Sequence, residues 1–469
     1  MRDVFVWLLT VFSLVVTTYF AFWNTTQMLM SPMAGLYLWR HRHRYRPRAL
    51  ALAHRLANPP LVSIVMPAYN EELTIVESVR AILALDYEAR EVIVVNDGST
   101  DRTLERLVEA FRLVPAPVAY VQPIATRPVR GIYRSTEDPA LVVVDKENGR
   151  CKADASNAGI NAASGSLVLD IDADTVLEPD SLTRAVLPFL EDPATVAVGG
   201  NVAIINGCRL EGGRVVDVTL PRSWFARFQV VEYMRAFLLF RIACASIDAV
   251  PIVSGAFGLF RRDALIAIGG YDHSAIGEDM DLTIRLHKHF QERGEPARIA
   301  FDPNPLAWTQ VPEDRASLRS QRYRWRRGLL QVLWRHRSMI GNPRHGIVGM
   351  VSLPYVAFFE GLGPLIEVAG YVVTLAAALL GLLNWQYFWL LIVVTMMFGA
   401  AVTLLAVLLS DVATRRYMRG GDLVRLVAVV LIECVGYRQL NSWWGCVGTV
   451  QALTGKGGWG PMTRRAFTS

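Results

Sequence analysis

The sequence predicts an α/β domain with a largely parallel sheet, set between membrane-associated helices at the two ends of the chain. Three observations carry this. Hydrophobic residues make up 52% of the 469 residues and mean hydropathy is +0.29, with the excess gathered toward both termini. From Leu61 onward, short β-like runs alternate with amphipathic helical stretches, the order expected of a sheet with helices on its faces. Polar residues collect where each β-run stops, and open α/β sheets bind ligands outside the carboxyl ends of their strands.

Residues 1–40 read as an N-terminal transmembrane helix. Residues 4–22 are apolar and aromatic-rich, long enough to enter a bilayer, and no small-residue cleavage site follows, so an uncleaved anchor is expected. Residues 41–60 form a basic juxtamembrane linker. Arg40, Arg42, Arg44, Arg46 and Arg48 follow the apolar run and, by the positive-inside rule, place the next domain in the cytoplasm of a multi-pass plasma-membrane protein. Residues 61–320 form the α/β domain. "LVSIVMPAYNEE" is strand then polar loop, and "ESVRAILAL" is an amphipathic helix; "EVIVVNDGSTD" and "RTLERLVEAF" repeat the pair. "ALVVVDKENG" and "SLVLDIDAD" add two strands with polar ends.

Residues 321–345 read as an amphipathic interface helix carrying Arg and Trp among Leu and Val. Residues 346–455 hold the C-terminal membrane helices. Residues 365–383 and 387–409 are good spans, whereas 347–362 is interrupted by Pro354 and Glu360, and 423–453 by Tyr437, Arg438, Gln439 and Asn441. Residues 456–469 are a basic tail.

The net charge of +6 lies mostly in arginine clusters, which suits a lipid bilayer or an anionic substrate and not nucleic acid. Five cysteines without a CxxC pair argue against a disulfide framework and against a structural zinc site.

"LVLDIDADTVLEPD" poses the sharpest chemical question. If its strand ran on through Asp174, then Asp170, Asp172 and Asp174 would share one face about 6.5–7 Å apart. Neighbouring pairs would repel by about 2–3 kcal/mol at an effective dielectric of about 20. Either the strand ends and the acids splay into water, or a cation belongs between them. Asp172 and Asp174 suit Mg²⁺ or Mn²⁺, which take one or two carboxylates plus substrate phosphates. No GxGxxG follows the first strand, and "GTVQALTGKGG" has the wrong spacing for a P-loop.

Other strand ends add to the group. "PAYNEE" supplies Tyr69, able to stack on a base, and Glu71; "VVNDGSTD" supplies Asp97; "CKADASNAG" supplies Lys152, suited to a phosphate or a pyrimidine carbonyl. Each alone is also ordinary turn chemistry; it is their joint position that points to a nucleotide. Glu278 and Asp279 in "AIGEDMDLTIRL" precede a helical run, where acids equally serve as first-turn residues. Gln321, Arg324 and Trp325 in "SLRSQRYRWRRG" share a helix. An arginine fork suits a diphosphate and a tryptophan face suits a sugar, although both residues also anchor helices at membrane interfaces.

Taken together, "IVMPAYNEE", "VNDGSTD", "DIDAD", "SGAFGLF", "GED" and "QRYRW" resemble the processive, membrane-embedded glycosyltransferase family 2 enzymes, which include cellulose, chitin, hyaluronan and poly-N-acetylglucosamine synthases. The resemblance covers residues 61–328, and the chain's size and layout are most similar to the poly-N-acetylglucosamine synthase type. It implies a GT-A-type (Rossmann-like) domain and an inverting transfer from a UDP-sugar to a growing glycan. Tyr69, Glu71, Asp97, Lys152 and Asp172 match nucleotide-contacting positions, and Asp172 with Asp174 the metal pair. Asp279, preceded by Glu278, matches the catalytic base. Gln321, Arg324 and Trp325 match the motif holding diphosphate and acceptor, and Ser254 and Gly255 fall in the stretch shaping the acceptor site. The implied partners are the donor, a glycan or lipid-linked acceptor, the bilayer and an accessory membrane subunit.

"GRCKAD" departs from a Gly-Gly-Lys run common in that family, with Arg150 and Cys151 beside the lysine. Two other readings stay open: a transferase adding one sugar to a lipid, and a membrane scaffold with an inactive nucleotide-like domain. Glu360, Glu367, Glu433 and Arg438 are costly in hydrocarbon, so they either line a polar passage or pair at the interface.

Overall fold

A computed structural model describes residues 2–41, 58–116, 120–414 and 420–455. Arg42, Arg44, Arg46 and Arg48 of the basic linker, and the tail 456–469, lie outside the described residues.

In chain order the strands are β1 (Val62–Ala68), β2 (Arg90–Asp97), β3 (Leu113–Pro115), β4 (Val129–Ser135), β5 (Leu141–Lys146), β6 (Leu167–Asp170), β7 (Val176–Leu177), β8 (Thr195–Ile204), β9 (Arg209–Glu211), β10 (Arg214–Asp217), β11 (Gly258–Arg261) and β12 (Arg298–Thr309). The helices used below are α1 (Arg2–Arg40), α2 (Ile75–Leu83), α3 (Thr103–Phe111), α4 (Lys152–Ala162), α5 (Ser181–Glu191), α6 (Trp224–Tyr233), α7 (Glu278–Arg293), α8 (Arg315–Arg335), α9 (Gly363–Leu379), α10 (Trp385–Thr414), α11 (Gly420–Glu433) and α12 (Tyr437–Thr454). A π-helical stretch, Met234–Arg241, continues α6.

Ten strands form one sheet in the order β3-β4-β5-β2-β1-β6-β11-β8-β12-β7. The central four, β5-β2-β1-β6, are parallel, while β4 and β11 join them antiparallel. The sheet is therefore parallel at its centre and mixed at its flanks. Strand β1 is buried almost continuously, because helices cover both faces of a parallel strand. On α3 the buried Thr103, Leu107 and Phe111 are spaced four apart, one stripe against the sheet. Gly159 lets α4 press on β1: a methyl group there would lie 2.2 Å from Val65 Cγ1. That contact sets the start of α4, and with it Lys152, at the carboxyl ends of β1 and β6.

Strand β6 stops at Asp170, so the three acids do not share a strand face. Asp170 is buried, while Asp172 and Asp174 sit in the loop that follows.

The helical parts are built onto this domain. Ala34, Tyr37 and Leu38 at the end of α1 belong to the α/β core, and Tyr37 Oη donates to the Phe301 carbonyl at 3.1 Å. Nearer its start, Tyr19 and Trp23 pack against Phe359. Two helical segments, Val348–Leu379 and Trp385–Ser410, are long and apolar enough to cross a membrane. The first has π-helical turns at Val348–Ser352 and Val356–Gly361, around Pro354 and before Pro364. The stretch 423–453 is not one segment: it breaks into α11 and α12 at Gly436, whose φ of +93° suits glycine. The helix bearing "QRYRW" starts earlier than residue 321. Asp314 caps it by accepting from the Ala316 and Ser317 amides, both at 2.9 Å.

Candidate active site

Adjacent parallel strands deliver polar residues to one edge of the sheet. Asp97 ends β2 and is buried; its Oδ1 accepts from Lys146 Nζ at 2.6 Å and from the Gly149 amide at 2.9 Å. Tyr69, just past β1, is about half exposed (48%), as a stacking platform must be. The loops after β1 and β2 are fastened together: the Asn70 amide donates to Ser99 Oγ at 3.0 Å, and the Thr100 amide donates back to Asn70 Oδ1 at 2.8 Å. Glu71 is buried and accepts from Thr74 Oγ1 at 3.1 Å, so its carboxylate is engaged with its own turn.

Lys152 is the hinge of the acidic group. Its Nζ donates to Asp172 Oδ1 and to the Gly255 carbonyl, both at 2.7 Å, and lies 3.4 Å from Asp170 Oδ2. Burial alone would lower its pKa, but Asp170 and Asp172 outweigh that and hold it charged. Asp170 accepts from Ser156 Oγ (2.9 Å) and Tyr271 Oη (3.1 Å), supporting the loop from behind. Burial, then the neighbouring Asp172, pushes the Asp174 carboxyl up to about 7. Glu278 is pushed up to about 8, chiefly by burial.

Ser254 and Gly255 turn between lysine and helix. The Phe257 amide donates to the Ser254 carbonyl at 3.0 Å, and a side chain at Gly255 would begin 3.5 Å from Lys152 Nζ and 3.9 Å from Asp279 Cβ. Asp279 lies in the first turn of α7, its Oδ1 accepting from the Met280 amide at 2.8 Å. Next to this helix start runs α8. A methyl group at Gly328 would lie 2.9 Å from the Gly277 amide nitrogen, so the two helices meet backbone to backbone there.

On α8, Gln321 is buried and its Oε1 has no hydrogen-bond partner among the described residues. Arg324 is partly buried; burial lowers its pKa against the opposing charges of Asp172, Glu278 and Asp279. Trp325 is 42% exposed. The structure therefore gathers Lys152, Asp172, Asp174, Gly255, Glu278, Asp279 and Arg324 into one charged group, with Tyr69 and Asp97 at the neighbouring strand ends.

Sequence reasoning missed two residues. Lys146 is fully buried and paired with both Asp97 and Asp154. Only its place at a strand end, beside Asp97 on the adjacent strand, could have flagged it. Arg241 is buried, its guanidinium 3.7 Å over the Phe237 ring and its Nη1 without a hydrogen-bond partner among the described residues. Burial lowers its pKa to about 10, opposed by Asp279 and Glu360. A lone arginine in "AFLLFRIACA" was the available signal.

Among the described residues no cluster of three or more His, Cys, Asp or Glu is arranged to hold a metal. The donor set is the Asp172 and Asp174 carboxylates, one partly exposed and the other resisting ionisation beside it. That fits a hard divalent cation completed by phosphate oxygens.

The fold and site define a GT-A-type glycosyltransferase architecture. The chain matches the family models described as glycosyl transferase family 2 over residues 63–269 and glycosyl transferase family group 2 over residues 167–444. The second match spans more than half of the chain, and the protein belongs to that family. Among its relatives, the poly-beta-1,6-N-acetyl-D-glucosamine synthase of Staphylococcus aureus (strain COL) is 31% identical over 274 residues, 58% of this chain and 56% of that one. The Staphylococcus epidermidis synthase of the same name is 30% identical over the same shares. The chain thus matches little more than half the length of these relatives. Its fold is similar to that of the mannosyltransferase PcManGT from Pyrobaculum calidifontis, solved with GDP-Man and Mn²⁺. The TM-score is 0.55 at 20% identity, covering 91% of this chain and all of that one.

Proposed function

We propose that the protein is a metal-dependent, inverting glycosyltransferase of the membrane, extending a β-linked polysaccharide from a UDP-sugar. The observation that carries this is the placing of Lys152 between Asp172 and the Gly255 carbonyl, with Asp279 beside the same glycine. That arrangement supports phosphate neutralisation and proton abstraction at one site.

Tyr69 stacks on the base and Asp97 accepts from its ring N–H through the oxygen that Lys146 leaves open. Asp172 and Asp174 would hold Mg²⁺ or Mn²⁺, which supplies charge neutralisation to the leaving diphosphate. Lys152 and Arg324 place positive charge where negative charge grows as the anomeric C–O bond breaks. Asp279 takes the proton from the acceptor hydroxyl while that oxygen bonds the anomeric carbon from the opposite face, so configuration inverts. Trp325 offers a ring for the acceptor sugar. Val348–Leu379 and Trp385–Ser410, with α1, seat the enzyme in the bilayer with its α/β domain in the cytoplasm. The relatives' names favour N-acetylglucosamine as the transferred sugar.

The test is UDP release by the detergent-purified full chain with Mn²⁺ or Mg²⁺, offered UDP-N-acetylglucosamine, UDP-glucose and UDP-glucuronate, beside Asp279→Asn. Turnover of one donor with a ladder of products, lost in the variant, supports the reading. A single-sugar product would replace polymerisation with transfer to a lipid. Silence with every donor together with no UDP binding would sink the enzymatic reading.

A further inference from the structure

Trp325 does not stand alone on α8. Three residues before it, one turn away on the same face, Arg322 holds its guanidinium carbon 4.7 Å over the Trp325 ring. That guanidinium is in turn fixed by Glu232 on α6, Nη1 to Oε1 at 2.5 Å and Nη2 to Oε2 at 2.8 Å. A bidentate fork sets the plane of the guanidinium as well as its position. Tyr437, the first residue of α12, donates its hydroxyl to Glu232 Oε2 at 3.1 Å and lies 3.5 Å from Arg322 Nη2. Tyr437 is buried and stacked on Phe228 of α6, with centroids 4.6 Å apart. The order of contact is thus α12 to α6 to Arg322 to the tryptophan ring.

The residue after the tryptophan is held by the same helix. Arg326 is buried, its Nε donates to Thr449 Oγ1 of α12 at 2.8 Å, and its other nitrogens donate to the Glu360 and Gly361 carbonyls. Gly448 permits the approach, since a methyl group there would lie 2.9 Å from Arg326 Cβ. Helix α12 therefore grips α8 on both flanks of Trp325. An exposed aromatic ring on a free helix surface samples several rotamers, and this one is loaded from one side by a locked cation.

We propose that Glu232 and Tyr437 are positioning residues for the acceptor-sugar platform Trp325, acting through Arg322. They set how well the acceptor is held, and through that the product length, without touching the donor. The inference rests on the function proposed above for Trp325.

The test uses the full-length protein in detergent, with UDP-N-acetylglucosamine as donor and β-linked N-acetylglucosamine oligosaccharides as added acceptors. The variants are Glu232→Gln, Tyr437→Phe and Arg322→Lys, plus the charge-swapped Glu232→Arg/Arg322→Glu pair. UDP affinity is expected to stay within about twofold of wild type, while acceptor KM rises about five- to thirtyfold for the glutamate and arginine variants and products shorten. The swapped pair is expected to recover thermal stability without recovering acceptor KM, because a glutamate cannot stack on the ring. Tyr437→Phe keeps its packing on Phe228 and removes only the hydroxyl, so it reports even if the others fold poorly. Full recovery of acceptor KM in the swapped pair, or unchanged acceptor KM in every folded variant, overturns the inference and leaves the proposed function standing. No transfer by the wild-type chain overturns both.

Discussion

Lys152 Nζ donates to Asp172 Oδ1 at 2.7 Å, so the carboxylate proposed for the metal is held by the lysine proposed for the phosphate. A divalent ion and a diphosphate arriving together would let each group change partner without leaving a buried charge unpaired. Two consequences follow for the measured enzyme. Chelation with EDTA should abolish UDP release, and Mn²⁺ in excess should restore it. Lys152→Ala should weaken UDP binding by about tenfold or more, since it removes a charge-assisted contact worth about 1.5–3 kcal/mol and exposes Asp170 to Asp172. Calorimetric UDP titration with and without Mn²⁺ checks both. UDP affinity unchanged in Lys152→Ala would remove the lysine from the site.

The Gly277–Gly328 contact gives a second prediction. It fixes the distance between the α7 start, carrying Asp279, and α8, carrying Arg324. Gly328→Ala adds a methyl group 2.9 Å from the Gly277 nitrogen, and backbone cannot rotate away as a side chain would. The helices must separate by a few tenths of an ångström to about 1 Å, a displacement able to cost up to about a hundredfold in rate. The expected result is kcat down by about ten- to a hundredfold with UDP affinity nearly intact. Gly294→Ala, at the far end of α7 where nothing lies within 4 Å, serves as the control: it strains a φ of +67° but should leave kcat unchanged.

How much of this was legible in the sequence depends on the range of the interaction. Asp97, Lys152 and Asp172 could be read because each closes a local strand-to-loop pattern, and parallel strands bring such ends together whatever the details. The end of β6 could not be read, because Ile171 and Ala173 continue the apolar alternation beyond Asp170. Beyond the strand end, Lys152, Ser156 and Tyr271 converge on Asp170 from other elements, contacts that no local pattern announces. Lys146 looked like a polar strand end and proved to be a fully buried cation, since its partners Asp97 and Asp154 come from β2 and α4. The grip of α12 on α8 left no periodic trace at all. Tyr437 and Arg438 read as interruptions of a membrane segment, and their partners are more than a hundred and about thirty-five residues away respectively.

Acid stability is expected to depend on Asp281. It is fully buried on α7, with Arg285 Nε at 2.7 Å, His336 Nε2 at 2.9 Å and Arg335 Nη1 at 3.3 Å; Arg335 also pairs with Asp272. Burial by itself would raise the carboxyl, but hydrogen bonds from His336 and Arg285 outweigh it and bring the pKa down to about 2 from an ordinary 3.8. A depressed carboxyl stabilises the fold fully above its unfolded pKa, and that contribution is lost as pH falls from 3.8 toward 2. Asp281→Asn should cost roughly 2–3 kcal/mol at neutral pH and flatten the acid limb of the stability curve. Thermal unfolding of both proteins between pH 2 and pH 7 checks this, and parallel acid limbs would exclude Asp281 as the cause.

The helical region carries the last prediction. Glu433, at the end of α11, is 1% exposed and receives both guanidinium nitrogens of Arg235, at 2.7 and 2.5 Å, with Arg438 Nε 3.5 Å away. Arg235 Nη1 also donates to Thr403 Oγ1 of α10 at 2.8 Å, and Arg438 reaches the same hydroxyl at 3.2 Å. One carboxylate thus joins the π-helical stretch after α6 to α10, α11 and α12. Desolvating such a pair is expensive, so its net worth is small, but removing one member strands the other. Glu433→Gln should therefore destabilise by about 3–5 kcal/mol, whereas Glu433→Leu combined with Arg235→Met should cost clearly less, since Arg438 keeps Thr403 and the Gly399 carbonyl as partners. Melting curves in detergent of the single and double variants decide it. A double variant less stable than the single one would mean that the ion pair itself, and not the avoidance of a stranded charge, holds these helices together.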